Sequence, residues 1–185
     1  MADYLQVPGA QVTLAEREKI KELAELVAEK FEVPTLVNLG VAWGCSMWCL
    51  RAGAPSAVLY GVDIDYASRK IVDEENLCAI LIPGDSTKVH VQFNKLVHLL
   101  FIDGDHHYET IKQDISGWTP KVVPGGIVVF HDYAPTELNL RQFPHIAGVR
   151  KAVDEWYNKS KNSWTSLPAP DSLKVFKCLK RQSTN

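Results

Sequence analysis

The chain has 185 residues, 46% of them hydrophobic and 23% charged, and a formal net charge of −2. That balance is ordinary for a soluble globular protein, and the length supports one domain with a full-sized core. Without a basic excess, no nucleic-acid partner is expected. No apolar run approaches membrane-spanning length, and the opening MADYLQVPGAQ lacks the charged-then-apolar layout of a secretory signal. The expectation is a cytoplasmic protein away from the membrane.

Thr13-Leu14-Ala15-Glu16 is a capping-box pattern, in which a hydroxyl and a carboxylate reciprocally satisfy free amides at a helix start. Ile20, Leu23, Val27 and Phe31 follow at helical spacing, so a first helix is expected over about Thr13–Phe31, closed by Pro34. This makes 1–34 a helical segment ahead of a sheet core over 35–180. Thr35–Val41 reads as a first strand, followed by a glycine-containing turn and a helix ending near Gly53. Ala57–Asp65 reads as a second strand, the charged stretch from Tyr66 to Cys78 as a helix, and Ala79–Ser86 as a third strand. The stretch STKVHVQFN suits a short or distorted helix, and LVHLLFID a fourth strand.

Tyr108, Ile111, Ile115 and Trp118 form a helix stripe that stops around Pro120. PGGIVVFHDY supplies a turn and a fifth strand, and APTELNLRQFPH, without a clean period, a loop. Ile146, Val149, Val153 and Trp156 mark another helix, and two late strands pair antiparallel around Pro170-Asp171. Cys45, Cys49, Cys78 and Cys178 form no CxxC pair and read as small buried hydrophobes. Strand and helix alternate through most of the chain, which argues for an α/β, doubly wound, parallel sheet.

In such sheets ligands bind at the carboxyl ends of the strands. The first strand ends in Asn38-x-Gly40-x-x-x-Gly44. Gly40 permits a sharp turn, and Gly44 a close backbone approach where helix-start amides face a ligand. A ligand-free tight turn is the other reading, and the spacing is not that of a dinucleotide fingerprint. The second strand ends in Asp63-Ile64-Asp65, placed to accept from a ribose diol or simply to cap a helix. The third ends in Asp85-Ser86, where Asp85 could accept from an adenine amino group, cap a helix, or both. The fourth breaks from FID into Gly104, Asp105, His106 and His107, and the fifth ends in His131-Asp132. Carboxylates and imidazoles from adjacent strands suit a hard divalent cation and a nearby general base. Asp103 and Asp132 are the candidate metal oxygens, with His131 as a further ligand or an orienting neighbour. His131 and Asp132 can both ligate only if the strand has already ended, because consecutive strand residues face opposite ways. His106 or His107 could take a proton near neutrality. His98, within an apolar run, reads as a satisfied core histidine.

The series VNLGVAWGCS, LYGVDID, PGDS, FIDGDHHYETIKQDISGW, PGGIVVFHDY and GVRKAVDEW resembles class I S-adenosylmethionine-dependent methyltransferases over about Thr35–Trp156. The most similar branch holds the macrocin-type O-methyltransferases and cephalosporin-hydroxylase-like proteins. The resemblance implies a Rossmann-like fold, a mostly parallel seven-stranded sheet with an antiparallel last strand. It implies that Gly40 and Gly44 turn beneath the methionine part of S-adenosylmethionine, with Asn38, Ser46 and Ile64 as further cofactor contacts. Asp63 then holds the ribose and Asp85, with Ser86, sits by the adenine. Asp103 contacts the cofactor and, with Asp132 and His131, binds Mg2+, and His106 is the base. Two positions depart from the pattern. Asn38 stands where an acid is expected, and His131 stands in place of the first of two adjacent acids, which weakens the hold on magnesium and suits manganese or zinc better.

The acceptor is expected to be a small molecule. Trp43, Trp48, Tyr66, Tyr133 and Phe143 could line its pocket, with core or surface packing the plainer reading. Trp156, Tyr157 and the late strands could form a homodimer interface or pack on the sheet. The competing functions are a catalytically silent cofactor-binding protein and a nicotinamide or nucleotide-sugar enzyme on a similar fold.

Overall fold

A computed structural model describes residues 11–65 and 77–180. Most of the charged stretch expected to be helical, Tyr66 included, lies outside the described residues. The expected capping box opens α1 (Leu14–Lys30): Thr13 Oγ1 accepts from Glu16 N, and Glu16 Oε2 accepts from Thr13 N. The order continues with β1 (Thr35–Leu39), α2 (Cys45–Gly53), β2 (Val58–Asp63), β3 (Ile80–Pro83) and α3 (Ser86–Val89). It then runs β4 (Val97–Ile102), α4 (Tyr108–Trp118), β5 (Val122–Phe130), α5 (Glu137–Gln142) and α6 (Ala147–Ser160), and ends with β6 (Trp164–Leu167) and β7 (Lys174–Cys178).

The strands form one seven-stranded sheet in the order β3-β2-β1-β4-β5-β7-β6. β7 runs antiparallel to both β5 and β6, and the pairings from β3 through β5 are parallel, as the sequence led one to expect. Alternation along the strands feeds two cores. Leu36, Leu99, Phe101, Ile127 and Val129 face one side, where Ile20, Leu23 and Val27 of α1 pack with Met47 and Leu50 of α2. Val37, Leu39, Leu100, Ile102, Val128 and Phe130 face the other, under Ile111, Ile115 and Trp118 of α4 and Val149 and Val153 of α6. At roughly 1.5–3 kcal/mol for each large side chain removed from water, these layers supply the main drive for folding. Trp156 and Tyr157 pack their rings on Phe176 of β7.

Three expectations change. The Pro124-Gly125-Gly126 turn lies inside β5, where the register jumps from Val97–Val122 to Leu99–Ile127 and the extra residues bulge out. The expected loop holds α5, whose Thr136 cap accepts from Asn139 N. Its six residues bury none of their side chains, so no apolar period marked it. Cys45, Cys49 and Cys178 are buried, but Cys78 is exposed and takes a φ of 49°. His98 is satisfied, its Nδ1 accepting from Thr35 N at 2.9 Å.

Candidate active site

β1 through β5 end along one edge of the sheet. At Gly40 the chain turns with φ of 83°, and an added Cβ would sit 2.0 Å from the Asp103 carbonyl oxygen. Only glycine allows that approach, so the first turn is locked against the start of the fourth loop. Gly44, with φ of 78°, opens α2. Asp63 organises the same turn: its Oδ2 accepts from Val41 N at 2.6 Å and Ala42 N at 3.0 Å, and its Oδ1 accepts from Asp65 N at 2.7 Å. Asn38 is fully buried and donates through Nδ2 to the Gly40 carbonyl at 2.7 Å, while its Oδ1 has no hydrogen-bond partner. Asp85 caps α3, accepting from Thr87 N at 3.0 Å, and pairs with Lys88 at 2.9 Å. Contact with the Thr87 hydroxyl and Lys88 holds its pKa below the usual range.

Gly40, Asp63, Ile64, Asp85, Ser86, Asp103 and His106 line a cavity of about 590 Å³. Ile64 is 79% exposed there, an apolar face open to a flat ligand. Ser46, buried in the first turn of α2, lines a smaller neighbouring recess with Gly40, Trp43 and Asp103. Gly44, Asn38, His131 and Asp132 support the site from outside the main cavity's lining. Of the candidate acceptor aromatics, Trp48 is core, Tyr133 is tied to Asp154 through its hydroxyl at 2.7 Å, and Trp43 and Phe143 are exposed.

The other end is charged and more closed. β5 stops at Phe130, and Asp132 adopts a left-handed φ of 55°, a conformation Asp tolerates better than most residues. His131 and Asp132 therefore reach the same point. His131 Nδ1 lies 3.2 Å from Asp103 Oδ1 and 3.1 Å from Asp132 Oδ2. His106 Nε2 lies 3.0 Å from Asp132 Oδ2 and 3.6 Å from Asp103 Oδ1. Both nitrogens are buried, and neither makes an aligned hydrogen bond, so charge rather than directional bonding draws the groups together. Asp103, His131 and Asp132 offer three ligand atoms within 4.8 Å of one another, a set that could hold a cation.

Burial disfavours a charged imidazole, but Asp103 and Asp132 outweigh it and lift the His106 pKa to about 9. The same contest, with Asp103 the leading charge, raises His131 well above the usual histidine range. Asp132 is partly buried yet held below the carboxylate range by the two imidazoles. Asp105 and His107 belong to the loop and the start of α4: Asp105 accepts from Thr110 Oγ1 and touches His107 Nδ1 at 2.6 Å. His107 stacks on His145.

The structure adds two carboxylates that the sequence did not single out for the site. Glu16 of α1 faces His131 Nε2 at 3.4 Å, across 115 residues of sequence. Its helix-cap role is legible in the sequence and hides this second contact. Asp114 of α4 is fully buried and accepts from Ser86 Oγ at 3.0 Å.

A family model described as a methyltransferase domain matches residues 37–133, more than half of the chain and all of this strand-end edge. The chain belongs to that methyltransferase family. The solved structures agree on the fold. The O-methyltransferase NovP superposes with a TM-score of 0.70 at 17% identity, covering 91% of this chain and 81% of its own. An O-methyltransferase from Bacillus cereus, in complex with SAH, gives 0.74 at 14% identity, covering 94% and 84%. Among curated proteins, the uncharacterized protein y4gI of Sinorhizobium fredii is 47% identical over 36 residues, 20% of this chain and only 4% of that relative's length. The class I S-adenosylmethionine-dependent methyltransferase fold read from the strand-end motifs is thus the fold observed. No helix among the described residues is long and apolar enough to cross a membrane.

Proposed function

We propose that this methyltransferase acts on an oxygen of a small-molecule acceptor, using S-adenosylmethionine and assisted by a divalent cation. One observation carries the reading: a single cavity runs from Ile64 and Asp85, suited to an adenosyl group, to Asp103 and His106, suited to acid–base work. The neutral amide at position 38 fits as well, since the buried Asn38 Oδ1 lacks a partner beside the glycine turn and can accept from the methionine ammonium. Asp63 already uses both lone pairs of Oδ2 and one of Oδ1 on backbone amides, which leaves one acceptor site for a ribose hydroxyl.

Methyl transfer is an in-line displacement at the sulfonium carbon, so the chain's work is alignment and proton removal. Asp103, His131 and Asp132 fit a divalent cation because the buried His131 Nδ1 has no hydrogen-bond partner and lies between two carboxylate oxygens. Such an ion, when bound, lowers the pKa of an acceptor hydroxyl. His106 faces the cavity and accepts the acceptor's proton once it is itself neutral. Its raised pKa means that Asp103 and Asp132 must first direct their charge elsewhere.

Calorimetric titration with S-adenosylmethionine and with NAD tests the cofactor. Tight binding of the first alone supports the reading, and tight binding of NAD alone sinks it. Labelled methyl transfer to vicinal diols then tests the chemistry. A silent cofactor-binding protein is the second reading, favoured by the two carboxylates that crowd His106 Nε2 and raise its pKa, which opposes a base role; cofactor binding without turnover on any diol or phenol acceptor selects it.

A further inference from the structure

Glu16 does more than a helix cap requires. It is 1% exposed. Its Oε1 accepts from Ser172 N at 3.0 Å and Ser172 Oγ at 2.6 Å, and its Oε2 accepts from Thr13 N at 2.9 Å. A capping box needs only the last of these. Nothing in capping calls for burying the carboxylate against the imidazole of a distant loop, yet Oε2 also faces His131 Nε2. The opposite ring nitrogen is the buried, unpartnered Nδ1 that points between Asp103 and Asp132.

We propose that Glu16 is the positioning residue of this centre: by accepting the Nε2–H of His131 it fixes the ring and leaves Nδ1 as the third ligand atom for a divalent cation beside Asp103 and Asp132. Metal-bound histidines generally donate their second N–H to a carboxylate or carbonyl, which sets the tautomer and the ring orientation. Glu16 also returns to the neighbourhood a negative charge that an imidazole in place of an acid lacks, without touching the ion. With one nitrogen ligand, the site favours Mn2+ over Mg2+. The inference rests on the metal part of the proposed function, not on methyl transfer.

The test titrates Mn2+ into the full chain, followed by water-proton relaxation, with no methyl donor or acceptor present. Glu16→Gln, which puts a donor amide where one carboxylate oxygen was, is expected to weaken Mn2+ about 10–100-fold. Thr13→Ala removes the other half of the capping box and leaves the carboxylate in place. It should lower thermal stability while keeping Mn2+ affinity within about threefold of the parent. In a His131→Asp background the effect of Glu16→Gln should shrink to within about threefold, because no Nε2–H is left for Glu16 to accept. If Glu16→Gln fails to fold, Glu16→Asp keeps the charge but withdraws it from His131, and carries the same expected loss. The proposal is overturned by unchanged Mn2+ affinity in the Glu16 variants, by an equal loss in Thr13→Ala, or by a parent chain that binds no Mn2+. Methyl transfer measured separately tells these failures from failure of the activity itself.

Discussion

The two ends of the cavity are built by different physics. At the β1–β3 end the chain presents backbone: Gly40 and Gly44 in left-handed conformations, amides gathered by Asp63, and an exposed Ile64. Its contacts span about twenty residues of sequence. At the β4–β5 end the chain presents charge: Asp103 and His106 line the cavity, and the partly buried Asp132 and buried His131 stand behind them, backed in turn by Glu16 of α1 and Ser172 before β7. The contact between Ser172 and Glu16 crosses 156 residues. A site that binds by backbone shape needs local sequence, whereas a site that works by charge needs low exposure, and only tertiary packing provides that.

Removing the central charge should give the largest effect. Asp103 touches both imidazoles, so Asp103→Ala is expected to lower kcat/KM about 10²–10³-fold and to abolish any metal dependence. Steady-state kinetics with and without added Mn2+ decide it. Retained turnover and retained metal dependence would move the chemistry away from this end. The next largest effect falls on the joint between the ends. In Gly40→Ala the new methyl would overlap the Asp103 carbonyl at a φ that L-residues avoid, which should cost about 3 kcal/mol. Urea unfolding measures this. A loss under about 1 kcal/mol would mean that the two ends are not rigidly joined.

The same division explains what the sequence revealed. Alternating strands and helices, the Thr13–Glu16 cap, the Gly40 and Gly44 turn and the Asp85 cap were legible because each follows from a local rule of turn, cap or period. Asp63 could be named as a strand-end acid, but not its hold on the Val41 and Ala42 amides of the first turn. His131 and Asp132 could be named, but their shared aim could not, since it depends on β5 stopping at Phe130 and on the left-handed Asp132. α5 escaped because it buries none of its side chains, and the Pro124–Gly126 bulge because an irregular register leaves no periodic mark. Glu16 stood in plain view as a capping residue, and a cap pattern carries no information about a partner more than a hundred residues away.

A milder change sharpens the contrast at the β1–β3 end, where cofactor binding is proposed. Asp63→Asn keeps one oxygen for the Val41 and Ala42 amides but loses the charge and an acceptor. Hydrogen bonds to charged groups contribute about 1.5–3 kcal/mol, so a 10–100-fold weaker hold on S-adenosylmethionine is expected, with kcat nearly unchanged. Calorimetry and initial rates check the split. A fall in kcat as large as the fall in affinity would show that this end reaches into the chemistry.

The smallest expected effect tests whether the division is complete, because one buried carboxyl does sit behind the β1–β3 end. Asp114 is fully buried, its Oδ2 accepts from Ser86 Oγ, and its Oδ1 has no partner. Burial lifts its pKa from 3.8 to about 7; the Ser86 contact opposes this, and the nearby Asp85 and Asp105 charges add to it. The folded chain therefore binds more protons than the unfolded chain between about pH 4 and pH 7, and stability falls as pH rises through that window. Asp114→Asn keeps the shape and the Ser86 contact while staying neutral. It should be about 2 kcal/mol more stable than the parent at pH 8, with the gain shrinking towards zero near pH 4. Urea melts at pH 5 and pH 8 measure this difference. An equal gain at both values would mean that Asp114 is solvated in the folded chain, and the β1–β3 end would then be free of buried charge.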